Sequence, residues 1–210
     1  EVIIPSLSFV STAHAVVYNG AKPIFAEIDP KTLCIDPDDI SRLITNKTKA
    51  ILPVHFAGIP SNLKKIKNIC KENNLYLIED AAHASGSKYG GKKIGSHGDA
   101  VCFSFHPVKN LAMPTGGAIT LNKNSQKFET LLHSRRWCGI SNRKGINYDV
   151  NELGWNYYMN EFSAAMGVEQ LKKLDKLNSM RKKIAKRFSQ ELKVTQKMPF
   201  DKNSSYHFFW

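Results

Sequence analysis

The chain has 210 residues, 42% hydrophobic and 23% charged, which fits one globular domain, or one and a part, and excludes wholesale disorder. No apolar run reaches the ~18–20 residues of a membrane span, the amino terminus lacks a signal-peptide pattern, and Cys34, Cys70, Cys102 and Cys138 stand 32 or 36 residues apart, which excludes a CxxC pair, a zinc knuckle and a disulfide scaffold. The net charge is +12, from 30 Lys and Arg against 18 Asp and Glu, and it raises the question of a nucleic-acid partner.

Six short apolar runs rich in Val, Ile and Phe predict strands at residues 2–5, 23–28, 50–55, 75–79, 100–105 and 118–121. They are continuous rather than alternating, which suits a sheet covered on both faces. Helical patterns lie between them. Asp36 is placed to cap one, with Pro37 at its first position and Asp38 and Asp39 in its first turn. Ser61 is placed to cap the next, which carries Leu63, Ile66, Ile69 and Cys70 on one face. The alternation of strand and helix predicts a three-layer α/β/α domain with a mostly parallel sheet. Beyond residue 122 the pattern changes. A helix is expected from Ser125 to Arg136, and a long loop over residues 137–158. A long helix follows from Asn160, with an apolar stripe of Leu171, Leu174, Leu177, Met180, Ile184, Phe188 and Leu192. The expected division is residues 1–160 as a large domain and 161–210 as a long helix opening a second, smaller one.

Three segments carry chemistry. An apolar strand ends in Ile78-Glu79-Asp80-Ala81-Ala82-His83, and ligands in open α/β sheets bind beyond the carboxyl ends of strands. Taken alone, Asp80 reads more readily as a helix cap. Lys109 follows the strand that ends near Ser104-Phe105-His106-Pro107, and taken alone it reads as one solvated lysine among many. Gly116-Gly117 before a strand marks a tight turn or a close backbone approach. Together, an Asp at one strand end and a Lys 29 residues later at another form the minimum set for pyridoxal 5'-phosphate. A carboxylate keeps the pyridine nitrogen protonated, and a lysine holds the cofactor and moves protons.

With these segments in order, the sequence resembles the DegT/DnrJ/StrS-type sugar-nucleotide aminotransferases, a branch of the fold-type I pyridoxal-phosphate enzymes. The matching stretches are residues 2–12, 20–25, 48–55, 78–83, 103–110, 116–118 and 154–165. The resemblance implies the aspartate-aminotransferase type of fold. It implies that Lys109 is the Schiff-base lysine and proton shuttle, that Asp80 pairs with the pyridine nitrogen, and that His83, where many relatives have Gln, meets the ring face or ring oxygen. It further implies that Phe9 stacks on the ring, that Ser104 binds the phosphate, and that Asn156 reaches the neighbour's phosphate across a homodimer. Tyr158 stands where many relatives have Arg. Relatives carry a glycine- and threonine-containing phosphate loop upstream of the position of Glu1 and continue well past residue 210, so the chain is expected to be a piece of a longer enzyme.

The implied reaction moves an amino group from glutamate to C4 of a nucleotide-linked keto-sugar, in a cytoplasmic enzyme of amino-sugar or lipopolysaccharide biosynthesis. One alternative is a sugar dehydratase of the same fold, in which His replaces the lysine; Lys109 favours amino transfer. Others are an inactive fragment and a basic nucleic-acid-binding protein. Against the last, half of the excess charge lies in residues 161–210, beside the apolar stripe of a helix, where a solvated face is the ordinary arrangement. No nucleic acid, membrane or metal partner is expected: the seven histidines show no HExxH or clustered Cys/His pattern.

Overall fold

In the computed structural model, which describes residues 1–122 and 126–210, every predicted strand is found. The order is β1 (Val2–Pro5), α1 (Val10–Val17), β2 (Pro23–Ala26), α2 (Pro37–Leu43), β3 (Ala50–Ile51), α3 (Leu63–Glu72), β4 (Tyr76–Asp80), β5 (Lys88–Tyr89), β6 (Lys92–Lys93), β7 (Ala100–Ser104), β8 (Gly117–Leu121), α4 (Gln126–Arg136), β9 (Ile140–Lys144), β10 (Asn147–Val150) and α5 (Glu161–Glu191). The main sheet runs β2-β1-β3-β4-β7-β8. All its pairs are parallel except β7 with β8. The expected α/β fold with a mostly parallel mixed sheet is therefore present.

One face of that sheet holds the main core. Ile3, Ala26, Ile51, Leu77 and Val101 point from successive strands toward Ile40 of α2 and Leu63, Ile66 and Cys70 of α3. Each such large side chain contributes about 1.5–3 kcal/mol on burial. Helix α2 starts as its sequence requires, with the Asp36 carboxylate accepting from the Asp38 N–H at 2.9 Å and Pro37 in the first turn. Helix α3 does not. Its cap is Asn62, whose side chain accepts from the Lys65 N–H, while the buried Ser61 hydroxyl donates to the Val54 carbonyl. Ser61 lies one residue too early and is taken by the chain leaving β3.

Three further expectations are corrected. The strand expected over 50–55 has ladder pairing only at Ala50 and Ile51, because Pro53 has no N–H to extend it. Residues 137–158 are not all loop: β9 and β10 form an antiparallel hairpin. The alternation Ile146-Asn147-Tyr148-Asp149-Val150 is the strand pattern the loop reading passed over; all four β10 residues are exposed. On α5 the inward face is Ser163, Gly167, Leu174, Asn178 and Ala185. Of the predicted stripe, Leu171, Met180, Ile184, Phe188 and Leu192 are exposed. Apart from Leu174, the buried positions are small or polar because the helix lies close to its neighbours: a Cβ on Gly167 would meet Met113. The helix expected from Ser125 is described from Gln126; its first position lies outside the described residues.

The end of β4 separates two acids. The pleat sends consecutive side chains to opposite faces, so Glu79 joins Leu77 on the helix side and is fully buried. There it accepts from His55 Nε2 at 2.8 Å and from the Gly98 N–H. Gly98 is required by space, since a Cβ would stand 2.7 Å from Glu79 Oε1. His55 Nδ1 accepts from the Ser61 N–H at 3.1 Å, so its proton sits on Nε2, facing the carboxylate. His55→Ala leaves that carboxylate buried with one donor fewer, and is expected to cost about 3–5 kcal/mol. The measurement is the urea unfolding midpoint, and Glu79→Gln should cost less.

Candidate active site

Asp80 faces the other side of the sheet, at the carboxyl end of β4. Its backbone is fixed on β3's continuation: the N–H donates to the Pro53 carbonyl at 2.9 Å, and the carbonyl accepts from the His55 N–H at 3.1 Å. Its side chain is also fixed. Oδ2 accepts from the Thr12 hydroxyl at 2.9 Å and Oδ1 from the Ala82 N–H at 3.0 Å. Thr12 is buried on α1 and is held in turn by Ser8 at 2.7 Å. Cys102 lies opposite Asp80 in the β4–β7 register. Burial, with the Asp80 charge adding, pushes its thiol up to about 11, so it is a neutral neighbour.

Lys109 is carried by the connection between β7 and β8. That connection closes on itself: the Phe105 N–H donates to Gly116, Met113 to Phe105 and Lys109 to His106, at 2.8–2.9 Å. Gly117 is needed where the strands converge, because a Cβ there would lie 2.7 Å from the Phe103 carbonyl. Leu111 and Met113 anchor the far side against Leu174 of α5, with Phe105 and Met159 around them. Lys109 is half-buried between these anchors. Burial lowers its ammonium pKa, and the Asp80 carboxylate acts on it in the opposite direction. The two groups thus lie within electrostatic reach of each other.

His83 completes the group. Its Nδ1 accepts from the Ala57 N–H at 3.3 Å. Its ring stacks on His207 at a centroid distance of 4.6 Å and 28°, with Phe56 and Phe208 edge-on. Burial, then the Lys109 charge and His207, pull its pKa down to about 3. It is a neutral ring at ordinary pH.

The structure brings Asp80, His83 and Lys109 together. Ser104 ends β7, beside the strand of Asp80, and its Oγ accepts from the His106 N–H at 3.3 Å, which leaves the hydroxyl proton free to donate. Phe9 precedes α1 and is 72% exposed. Asn156 stands apart, exposed on a segment bridged to Trp137. Tyr158 packs on Trp137, with Arg136 over its ring at 5.8 Å. Thr12 and His207 escaped the sequence reading. For Thr12 the signal was a small hydroxyl side chain one turn after Phe9; for His207 no local signal existed. A surface cavity of about 450 Å³ lined by Thr45, Thr48, Lys49 and Asn74 lies at the opposite, amino end of β3 and β4.

These donors and acceptors fit a pyridoxal-phosphate ring. A fixed carboxylate suits a protonated ring nitrogen, a half-buried amine of lowered pKa suits a carbonyl carbon, and a neutral His83 with its proton on Nε2 suits a ring oxygen.

The DegT/DnrJ/EryC1/StrS aminotransferase family matches the chain over residues 1–210. Spore coat polysaccharide biosynthesis protein SpsC of Bacillus subtilis (strain 168) is 39% identical over 194 residues, 90% of this chain and 50% of that protein. GDP-perosamine synthase of Escherichia coli O157:H7 is 35% identical over 210 residues, 100% of this chain and 57% of that one. The structure of Helicobacter pylori PseC, an aminotransferase involved in the biosynthesis of pseudoaminic acid, superposes with a TM-score of 0.91 at 30% identity, covering 99% of this chain and 57% of PseC. The chain belongs to the DegT/DnrJ/EryC1/StrS aminotransferase family. It spans about half the length of the curated relatives it matches.

The neutral histidines make stability depend on pH. A folded-state pKa of about 3 for His83 and about 4 for His207 lies below the ordinary histidine value near 6.5. The unfolded chain therefore takes up protons first as pH falls. Their contribution is full above about pH 6.5 and is lost as pH falls from there through the folded values. The slope of unfolding midpoint against pH between about 4 and 6 should flatten in His83→Gln.

Proposed function

We propose that this chain supplies the pyridoxal-phosphate site of an aminotransferase that moves an amino group from glutamate onto C4 of a nucleotide-linked keto-sugar. The observation that carries the reading is the placement of Asp80 and Lys109 on one side of the sheet, at the carboxyl ends of adjacent strands, within electrostatic reach. Family membership and the sugar chemistry in the names of its relatives support it.

Bound there, the cofactor supplies an electron sink that acidifies the neighbouring C–H bond. The chain's own residues do the rest. Asp80 holds the protonated ring nitrogen, and Thr12 and Ala82 keep its carboxylate aimed. Lys109 holds the cofactor through Nζ and, once released, takes and returns a proton at that atom. Its lowered pKa raises the share of free amine at neutral pH, which both tasks need. His83 donates from Nε2 to the ring oxygen, Phe9 covers the ring face, and Ser104 donates to the phosphate. Asn156, exposed and away from this group, serves the phosphate of the partner in a homodimer. Residues 1–160 act as the cofactor domain, and 161–210 begin the second unit. The basic surface draws the diphosphate of the nucleotide and the carboxylates of the donor. A lysine at position 109 supports amino transfer over the dehydratase reading.

The full chain mixed with pyridoxal phosphate should develop a visible absorbance band that Lys109→Ala abolishes. The same substitution should lower amino transfer by about 10²–10⁴-fold. Turnover of the keto-sugar with no amino donor present would overturn the reading.

A further inference from the structure

Two rings stand beside Lys109, and the polarity of each is set by a chain of hydrogen bonds that begins at backbone groups. The first chain starts at the carbonyl of Ser85. That oxygen accepts from Asn178 Nδ2 at 2.9 Å, so the other end of the Asn178 amide is its oxygen. Asn178 Oδ1 accepts from Asn110 Nδ2 at 2.8 Å, and the Ser205 carbonyl accepts from the same nitrogen at 2.8 Å. A carbonyl has no proton to give, so both amides have one permitted orientation. Asn110 Oδ1 then faces His207 Nδ1 at 3.1 Å, and the ring must be the donor. Both asparagines are buried, which leaves no water to relax this order.

The second chain starts at an amide. The Ala57 N–H is a fixed donor to His83 Nδ1 at 3.3 Å, so that nitrogen carries no proton. Ala57 also accepts from the His207 N–H at 2.9 Å through its carbonyl. It does so in a left-handed conformation, φ 52°, within a single 3-10 turn over Phe56–Gly58. One residue thus holds both rings in their stack.

A neutral imidazole has one proton. Burial and the charge of Lys109 pull His83 down to about 3 and His207 to about 4, with the His207 ring acting on His83 and Arg181 on His207. Each ring therefore has one donor and one acceptor nitrogen. In His207 the proton is on Nδ1 and Nε2 carries the lone pair. In His83 the arrangement is reversed.

We propose that His83 and His207 are held as opposite tautomers, so that Nε2 of one is a donor and Nε2 of the other an acceptor, and that His207 Nε2 accepts a hydrogen bond from a hydroxyl of the substrate. His207 is then a specificity residue for a hydroxyl-bearing acceptor, and Asn110 and Asn178 are positioning residues that act through it. The substrate half rests on the sugar reading above; the tautomer half does not. Glutamate has no hydroxyl, so the preference falls on the sugar alone.

The test of the tautomers is nitrogen NMR of the histidine-labelled full chain without cofactor at neutral pH. His207 should show a protonated Nδ1 and a pyridine-type Nε2, and His83 the reverse; a protonated Nε2 on His207, or a protonated Nδ1 on His83, would overturn the proposal. Asn110→Leu removes the acceptor and should shift His207 toward the Nε2–H form, whereas an unchanged tautomer would sink the relay. For the substrate half, His207→Phe keeps the ring stack and removes the acceptor. It should raise KM for the keto-sugar about 2–10-fold, the loss of one neutral hydrogen bond, with KM for glutamate unchanged. An equal change in both constants would overturn this half, while continued amino transfer in the variant would leave the transaminase reading standing.

Discussion

Two carboxylates at the end of one strand, sent to opposite faces by the pleat, are the constraint on which the rest of this molecule depends. Glu79 goes under the sheet and Asp80 above it. A buried carboxylate is costly unless it is fully partnered, and Glu79 is partnered from two directions, by His55 and by the Gly98 amide. The same His55 holds the Asp80 carbonyl through its own N–H. The acid that stabilises the domain and the acid that faces the site are thereby tied to one residue. A one-residue slip of β4 would exchange their faces, putting Asp80 among Val101 and the helices and turning Leu77 out with Glu79.

Above the sheet, the charge balance follows from who neighbours Asp80. Cys102 is kept as a thiol, His83 and His207 are kept neutral, and Lys109 is pulled toward the free amine by burial while Asp80 opposes it. The cationic group is thus kept near one acid and two neutral rings. Its rigidity comes from elsewhere. The residues on either side of Lys109 are fixed by a closed loop, by Leu111 and Met113 against α5, and by the Asn110 amide. Helix α5 braces the residues that follow Lys109 through Leu174 and Asn178, and apart from Leu174 its inward face is small or polar, as close approach and amide bonding require.

How legible was this from residues alone? The strands were, because a sheet covered by helices needs unbroken runs of Val, Ile and Leu, and those runs stand out. The Asp36–Pro37 start of α2 was, because its capping is local. Asn62 displaced Ser61 at α3 because the choice between two adjacent caps was made by Val54, seven residues from Ser61. The β9–β10 hairpin left only the short alternation of Ile146, Tyr148 and Val150, among glycines and polar residues that read as loop, and β10 has no buried side. The apolar stripe of α5 was real as a pattern, but hydrophobicity marks what is costly to expose and not what lies against a neighbour in this chain.

The sequence by itself determined the class of fold and pointed to a candidate site at the carboxyl ends of adjacent strands, with Asp80 and Lys109 in it, since each follows from the order of strands and the residues that close them. Only the tertiary structure decided that Thr12 aims Asp80, that Asn178 reaches Lys109 through Asn110, and that His207 lies on His83. Those partners are 68, 68 and 124 residues apart in the chain. No local propensity encodes such contacts; they exist because the packed sheet and α5 leave each buried polar group one place to find its partner.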